Sequence, residues 1–271
     1  MELAGFSIAG METCIEVPSL KLLLDLGRCS KTAVSSPLAL VSHGHIDHVG
    51  AVAHHAARRA MMHMDEGVYV VPRQVAPQVE ALFNAAGELD GQPIPRRVVP
   101  LAPGEELALT KNRFVRAFET FHRVASQGYT VWERRHRLRP EFRQLEGPRL
   151  GELRKKGVLI DESYEMPVLS FTGDTRVEVL ERTPELQHTQ TLVIESTFLD
   201  ERVTVEGARE MGHIHLDELL VRSELLPKTE VVLSHFSARY DDREVRQLIE
   251  HRLPDALRAT VRHLPNEPVL A

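Results

Sequence analysis

The stretch His43-Gly44-His45-Ile46-Asp47-His48 sets three imidazoles and one carboxylate within six residues. It follows directly on the short apolar run at residues 38–41. On a helix, positions i and i+2 point apart, so His43 and His45 could not grip one ion there. In a tight loop leaving a strand they can converge, and Gly44 is expected to permit the turn. Imidazole nitrogens and carboxylate oxygens suit Zn²⁺ at about 2.0–2.2 Å. Two ions about 3.5–4 Å apart would use all four residues together with ligands from elsewhere in the chain.

The same event recurs downstream. Residues 113–120 pattern as a strand and lead to His122; the apolar run 168–171 ends in Thr172-Gly173-Asp174-Thr175; residues 230–233 run into Ser234-His235. Loops at strand ends are where rigid scaffolds present chemistry. The expected ligand set is therefore His43, His45, Asp47, His48, His122, Asp174 and His235. His54, His55 and His63 fall on a helical stretch at 50–64 and read as surface or packed side chains, and His215 stays outside the site.

Around these points the pattern alternates between strands and helices. Strands at 13–17 and 20–26 flank Pro18-Ser19 as a hairpin, and further strands are expected at 68–71, 106–110, 128–132 and 191–194. Helices are expected at 74–86, stopped by Gly87, and at 177–182, 216–225 and 242–251. This order predicts an α/β fold in which helices cover packed sheets, in one domain spanning residues 1–271.

Composition narrows the class. The chain is 42 % hydrophobic and 27 % charged, which supports a full core and excludes disorder. A net charge of −6 carries no whole-molecule signature of a nucleic-acid binder. Cys14 and Cys29 form no Cys-x-x-Cys pair and imply no disulfide framework, which fits a reducing cytoplasm. The best apolar run, residues 20–26, contains Lys21 and Asp25 and is too short to span a bilayer. A cytoplasmic protein without membrane association is expected.

Residues 134–156 differ in kind. They carry nine Arg or Lys against three Glu, a charge of +6 that leaves −12 for the rest. Pro140, Gly147, Pro148, Gly151 and Gly157 interrupt them, so 134–157 reads as a basic, partly irregular insertion. Its cations could track phosphates, with Phe142 alone available for base stacking. A solvated charged loop is the other reading.

The His-x-His-x-Asp-His run resembles the signature of the metallo-β-lactamase superfamily, whose four-layer αββα sandwich typically binds two metals. Phe118-Glu-Thr-Phe-His122, Phe171-Thr-Gly-Asp174-Thr175, Glu195-Ser-Thr-Phe198, Gly212-His213 and Ser234-His235-Phe-Ser-Ala-Arg239-Tyr240 are similar in order and spacing to the ribonuclease Z branch, also called tRNase Z. The resemblance runs from Leu22 to about Tyr240. It implies that His43, His45 and His122 hold one zinc, that Asp47, His48 and His235 hold a second, and that Asp174 bridges both. It implies Asp47, Glu195 and His213 as catalytic residues, the last two delivering a proton to the leaving alkoxide after attack by a metal-bridging hydroxide. The implied activity is that of a zinc-dependent phosphodiesterase or endoribonuclease acting on RNA, such as a tRNA precursor, or on a small phosphodiester. A homodimer is implied, and the basic insertion stands where the family carries its tRNA-gripping arm, here shortened. Three features depart from the family: Ile194 replaces a histidine, Ser196 replaces an alanine, and residues 25–31 lack an acidic and an amide group.

Other readings stay open on the same residues. A dinuclear hydrolase of a lactone, thioester or other ester uses the same ligands. A di-iron oxidoreductase typically has Glu where His45 stands. A silent, nucleic-acid-binding member would be expected to have lost ligands, and none is missing.

Overall fold

Aliphatic residues crowd both faces of the central strands, and that decides the layering. A computed structural model describes residues 1–265. The first sheet contains β1 (Ala4–Ala9), β2 (Glu12–Val17), β3 (Leu22–Leu24), β4 (Leu38–Leu40), β5 (Gly67–Pro72) and β6 (Arg96–Leu101) in that spatial order. The second contains β7 (Glu106–Ala108), β8 (Arg113–Glu119), β9 (Gln127–Leu138), β10 (Asp161–Phe171), β11 (Thr191–Glu195) and β12 (Glu230–Ser234). The short β13 (Phe236–Ser237) closes the first sheet beside β1, and β14 (Val261–His263) closes the second beside β12. The helices are α1 (Ile46–Val49), α2 (Val52–Met61), α3 (Ala76–Asp90), α4 (Gly147–Lys155), α5 (Val179–Arg182), α6 (Val205–Met211), α7 (Leu216–Val221), α8 (Asp242–Arg252) and α9 (Asp255–Arg258).

Strand side chains alternate between faces, so each apolar strand serves two cores. Leu40, Val70, Val193 and Val232 point inward and meet between the sheets. Ala39, Val41, Tyr69 and Val71 point outward and pack with Val52 and Ala56 of α2 and Val79 and Phe83 of α3. Leu192, Ile194, Val231 and Leu233 do the same on the other side with Val179, Leu219 and Val245, from α5, α7 and α8. The result is the four-layer αββα sandwich expected from the resemblance.

Chain direction then gathers the chemistry. In the second sheet β10, β11 and β12 run parallel, and β8 shares their direction because β9 is antiparallel to both β8 and β10. His122, Asp174, Glu195 and His235 therefore leave the sheet at one end. Tyr129 of β9 fastens this end to the first sheet, its buried hydroxyl donating to Val41 O at 2.7 Å while accepting from Gln127 Nε2 at 2.9 Å.

Several local expectations change. Helix α3 runs past Gly87 and stops at Gly91, whose φ of 75° supplies the left-handed cap. The helix expected at 50–64 is the shorter α2, and the separate one-turn α1 precedes it within the histidine run. Strands β1 and β6 and helix α6 join the expected elements.

The basic stretch, expected as a partly irregular insertion, is mostly regular structure. Arg134 to Leu138 continue β9 and pair antiparallel with Asp161 to Glu165 of β10, so the two strands project as a ribbon with α4 at its tip. The returning strand brings Asp161, Glu162 and Glu165, which pair with Arg154, Arg137 and Arg134. Half of the apparent charge excess is answered in this way.

Replacing Tyr129 by Phe removes the cross-sheet hydroxyl and strands buried partners. Urea unfolding is expected to show a loss of about 1–3 kcal/mol, and an unchanged midpoint would show that the two sheets do not depend on this pin.

Candidate metal centre

Each of the seven side chains named as ligands leaves a strand end or the short α1, and the fold brings all seven together. His43 Nε2, His45 Nδ1, His122 Nε2 and Asp174 form one group of ligand atoms, and Asp47, His48 and His235 form another. A third grouping joins Asp174, His213 and His235. Asp174 lies between the first two, with Oδ2 3.7 Å from His43 Nε2 and 3.4 Å from His48 Nε2, and Oδ1 3.3 Å from His235 Nε2.

The donor set fits a pair of cations. His43 Nε2 faces His45 Nδ1 at 3.0 Å, and His48 Nε2 faces His235 Nε2 at 3.1 Å. A tetrahedral ion with nitrogen ligands at about 2.0–2.1 Å would set those nitrogens about 3.3 Å apart. Asp174 is 2 % exposed, and its buried Oδ1 has no hydrogen-bond partner. Burial opposes the ionisation of Asp174, yet the imidazoles of His235, His48 and His43 hold its carboxyl well below the usual range. Positive charge is what this position calls for.

On His43, His48, His122 and His235 the outward ring nitrogen is held. His43 Nδ1 meets Ser42 Oγ at 2.9 Å, His122 Nδ1 meets Gly212 O at 2.9 Å, and His235 Nδ1 meets Thr197 Oγ1 at 3.1 Å. His48 Nδ1 lies 2.6 Å from Asp25 Oδ2. Such contacts fix the tautomer and raise ligand basicity. The Gly10 amide donates to Asp47 Oδ2 at 2.8 Å, and the Leu26 amide donates to His48 O at 2.7 Å.

Sequence reading missed the role of Asp25. It is fully buried, with φ of 57°, and it also accepts from the Ser42 amide at 2.6 Å and Ser42 Oγ at 2.8 Å. A lone carboxylate inside the run Leu22-Leu-Leu-Asp25-Leu26 was the available signal, because an acid there must find buried donors.

Glycine gave the opposite error. Gly44 takes no positive φ, and a side chain there would meet only Val75 at van der Waals distance, so the turn does not need a glycine. Gly173 is the constrained one: φ is 59°, and an added Cβ would lie 2.3 Å from Ser42 Cβ. That contact seats the Asp174 loop against the His43 loop.

Glu195 and His213 stand together as the sequence placed them. His213 Nδ1 is 3.0 Å from Glu195 Oε1 and 3.9 Å from Asp174 Oδ2. Burial works against a charge on His213, but the Glu195 carboxylate outweighs it and pushes the imidazole up to about 9. Glu195 also accepts from the Thr175 and Ile214 amides at 2.7 and 3.1 Å, which ties the Asp174 and His213 loops to one carboxylate. Ile194 is fully buried in the core on the helix side of the second sheet, so the family's missing histidine subtracts nothing from this cluster.

The remaining histidines stay outside. His215 caps α7 and contacts Asp200 O at 3.0 Å, buried His55 contacts Tyr69 Oη at 2.8 Å, and His54 and His63 are exposed.

Asp25→Asn keeps the shape but withdraws charge from His48. It is expected to weaken metal binding about 10- to 100-fold in a chelator-competition titration, and wild-type affinity in a folded variant would remove Asp25 from the site.

Comparison with known proteins agrees with this fold. Residues 28–236 match the family described as the beta-lactamase superfamily domain. The chain is 38 % identical to tRNase Z TRZ1 of Arabidopsis thaliana over 95 % of its own length and 92 % of that protein. It is 32 % identical to the chloroplastic tRNase Z TRZ2 of the same plant, over 90 % of this chain and 70 % of that one. The human tRNase Z short form superposes with a TM-score of 0.63 at 16 % identity, covering 97 % of this chain and 95 % of that one, which speaks for the fold. The chain belongs to the metallo-β-lactamase superfamily and, within it, to the tRNase Z/ribonuclease Z family of metal-dependent phosphodiesterases.

Proposed function

We propose that this protein is a two-zinc endoribonuclease whose substrate is a tRNA precursor, with His43, His45 and His122 on one ion, Asp47, His48 and His235 on the other, and Asp174 shared. The observation that carries the reading is the Glu195–His213 pair at the edge of the ligand groups. Cleaving an RNA phosphodiester expels an alkoxide, which needs a proton as the bond breaks. His213, half-buried and kept charged by Glu195, is placed to give one. A thioester, whose thiolate leaves unaided, makes no use of such a pair.

Two bound zinc ions would supply an activated water and neutralise charge on the phosphoryl oxygens. The chain's own part is to hold the geometry. Asp25, Ser42, Thr197 and the Gly212 carbonyl aim the imidazoles, and Gly10 aims Asp47. Asp47 belongs with Glu195 and His213 in the reacting centre. The ribbon formed by β9, α4 and β10 grips RNA away from the cut, as a shortened counterpart of the family's arm. Among its cations Arg139, Arg143, Lys155 and Lys156 lack a carboxylate partner within the described residues. The same reading includes a homodimer, to be seen as twice the chain mass in light scattering; a monomer that cleaves RNA would exclude it.

Purified protein is expected to carry about two zinc ions per chain and to cut a tRNA precursor, with both properties lost in Asp174→Ala. A metal-replete protein that opens lactones or thioesters and cuts no phosphodiester would replace this reading by the ester-hydrolase one.

His213→Ala is expected to slow RNA cleavage about 10²- to 10⁴-fold. Hydrolysis of bis-p-nitrophenyl phosphate should change little, because nitrophenolate leaves without a proton. Equal losses on both substrates would deny His213 the acid role.

Exchanging Arg139, Arg143, Lys155 and Lys156 for Ala should weaken RNA binding and flatten its salt dependence by up to about four phosphate contacts, leaving the small phosphodiester rate alone. An unchanged salt slope would mean that the ribbon does not touch RNA.

A further inference from the structure

One side of the metal centre opens onto an apolar trough that the mechanism does not use. Its cavity measures about 370 Å³ and lies between the His43–His48 loop, helix α3 and the loop after His122. Ile46, Val75, Val79, Leu82 and Val124 form its walls, and His45 forms the end nearest the ligand atoms. Gln78 is the one other polar side chain in the wall, and no Lys, Arg, Asp or Glu lines it.

The trough shows apolar surface that the core does not cover. Val79 and Phe83 already seat α3 on the sheet. Val75, Val79 and Leu82, at i, i+4, i+7 spacing, pack at the edge of that core and also line the trough. Ile46 is 73 % exposed and Val124 is 39 % exposed, an unfavourable display for aliphatic side chains unless something covers them. Gly44 lies on the same wall, exposed and free of any backbone need for glycine, and leaves the approach to Val75 open.

We propose that this trough is the subsite for the nucleobase flanking the scissile phosphate, an inference that rests on the reading of the protein as an endoribonuclease. Of the parts of an RNA chain, only the base offers a flat, uncharged face suited to an aliphatic, charge-free wall. His45 belongs to both the ligand group and the trough, so a base lying there puts its own phosphate within one side chain of the metals. The rim supplies the matching charge: exposed Arg123 directly precedes Val124. A neutral floor beside a cation suits a nucleotide, base down and phosphate out. With Gln78 alone to meet a base edge, the subsite holds a base in place with little preference among bases.

The test pairs an enzyme change with a substrate change. Ile46→Ser and Val124→Ser are combined, both at exposed positions, and metal content is checked against wild type. Cleavage is then compared on an intact tRNA-precursor transcript and on transcripts with an abasic ribose on the 5′ or the 3′ side of the cut. For the wild type, removing the base on one side is expected to lower kcat/KM about tenfold, mostly through KM. The double variant should show the same low value on intact RNA and no further loss on the abasic one. A wild type that cuts RNA, with a double variant equal to it on intact RNA or losing equally on both transcripts, overturns the subsite alone. A wild type that cuts no RNA overturns both this inference and the reading beneath it. A double variant that falls to half the wild-type mass in light scattering assigns the trough to a second copy of the chain and also overturns the proposal.

Discussion

A carboxylate shut away from water among five imidazoles is the condition that the rest of the molecule must satisfy. Asp174 Oδ2 lies within 4.0 Å of nitrogens of His43, His48, His122 and His213, and Oδ1 is 3.3 Å from His235. Leaving such a charge unopposed costs several kcal/mol. Imidazoles facing one another nitrogen to nitrogen cannot all answer it with protons, so bound cations would complete the balance. Metal binding of that kind is linked to folding: ions bound there would stabilise whatever keeps the two ligand groups apart from solvent.

Because the ligands come from both sheets, the inter-sheet core sets their spacing. His43, His45, Asp47 and His48 follow β4, whereas His122, Asp174 and His235 follow β8, β10 and β12. Leu40, Val70, Val193 and Val232 fill the layer beneath them, close-packed and intolerant of small shifts. Tyr129 and the Gly173–Ser42 contact then fix the last ångström at the strand ends. The apolar layer and the polar cluster are thus one construction, in which packing determines the distances and the cluster determines where packing must stop.

The metal-capable residues were legible because they break apolar runs. A His or Asp where a buried strand ends has few bland explanations, and four such breaks pointed to one place. Asp25 broke a run in the same way but was passed over, since it supports a ligand and carries no motif of its own. The ribbon was misread for a different reason. Prolines and glycines at its tip suggested irregularity, whereas its stems are strands whose acids arrive some 25 residues later in sequence, as with Arg137 and Glu162. Charge pairing across a hairpin is invisible to a window that sees one strand at a time. Helix α1 was hidden inside the motif, where four residues of helix turn Asp47 and His48 toward the second ligand group.

That pairing changes what the ribbon can do to a polyanion. Residues 133–165 hold nine cations and seven acids, so their net charge is +2 and the rest of the chain carries −8. On the proposed reading, a body of net negative charge favours RNA approach along the ribbon, which would then act more by orienting the substrate than by binding it strongly. With about four unpaired cations, each phosphate contact adding a salt slope of roughly 0.7–0.9, electrostatic affinity is moderate. Selection of the bond to be cut must then come from contacts next to the metals, where a displacement of about 1 Å decides whether a phosphodiester reacts. An uncharged trough ending at His45, as proposed for the flanking base, would supply such a contact without adding to the charge that holds RNA elsewhere.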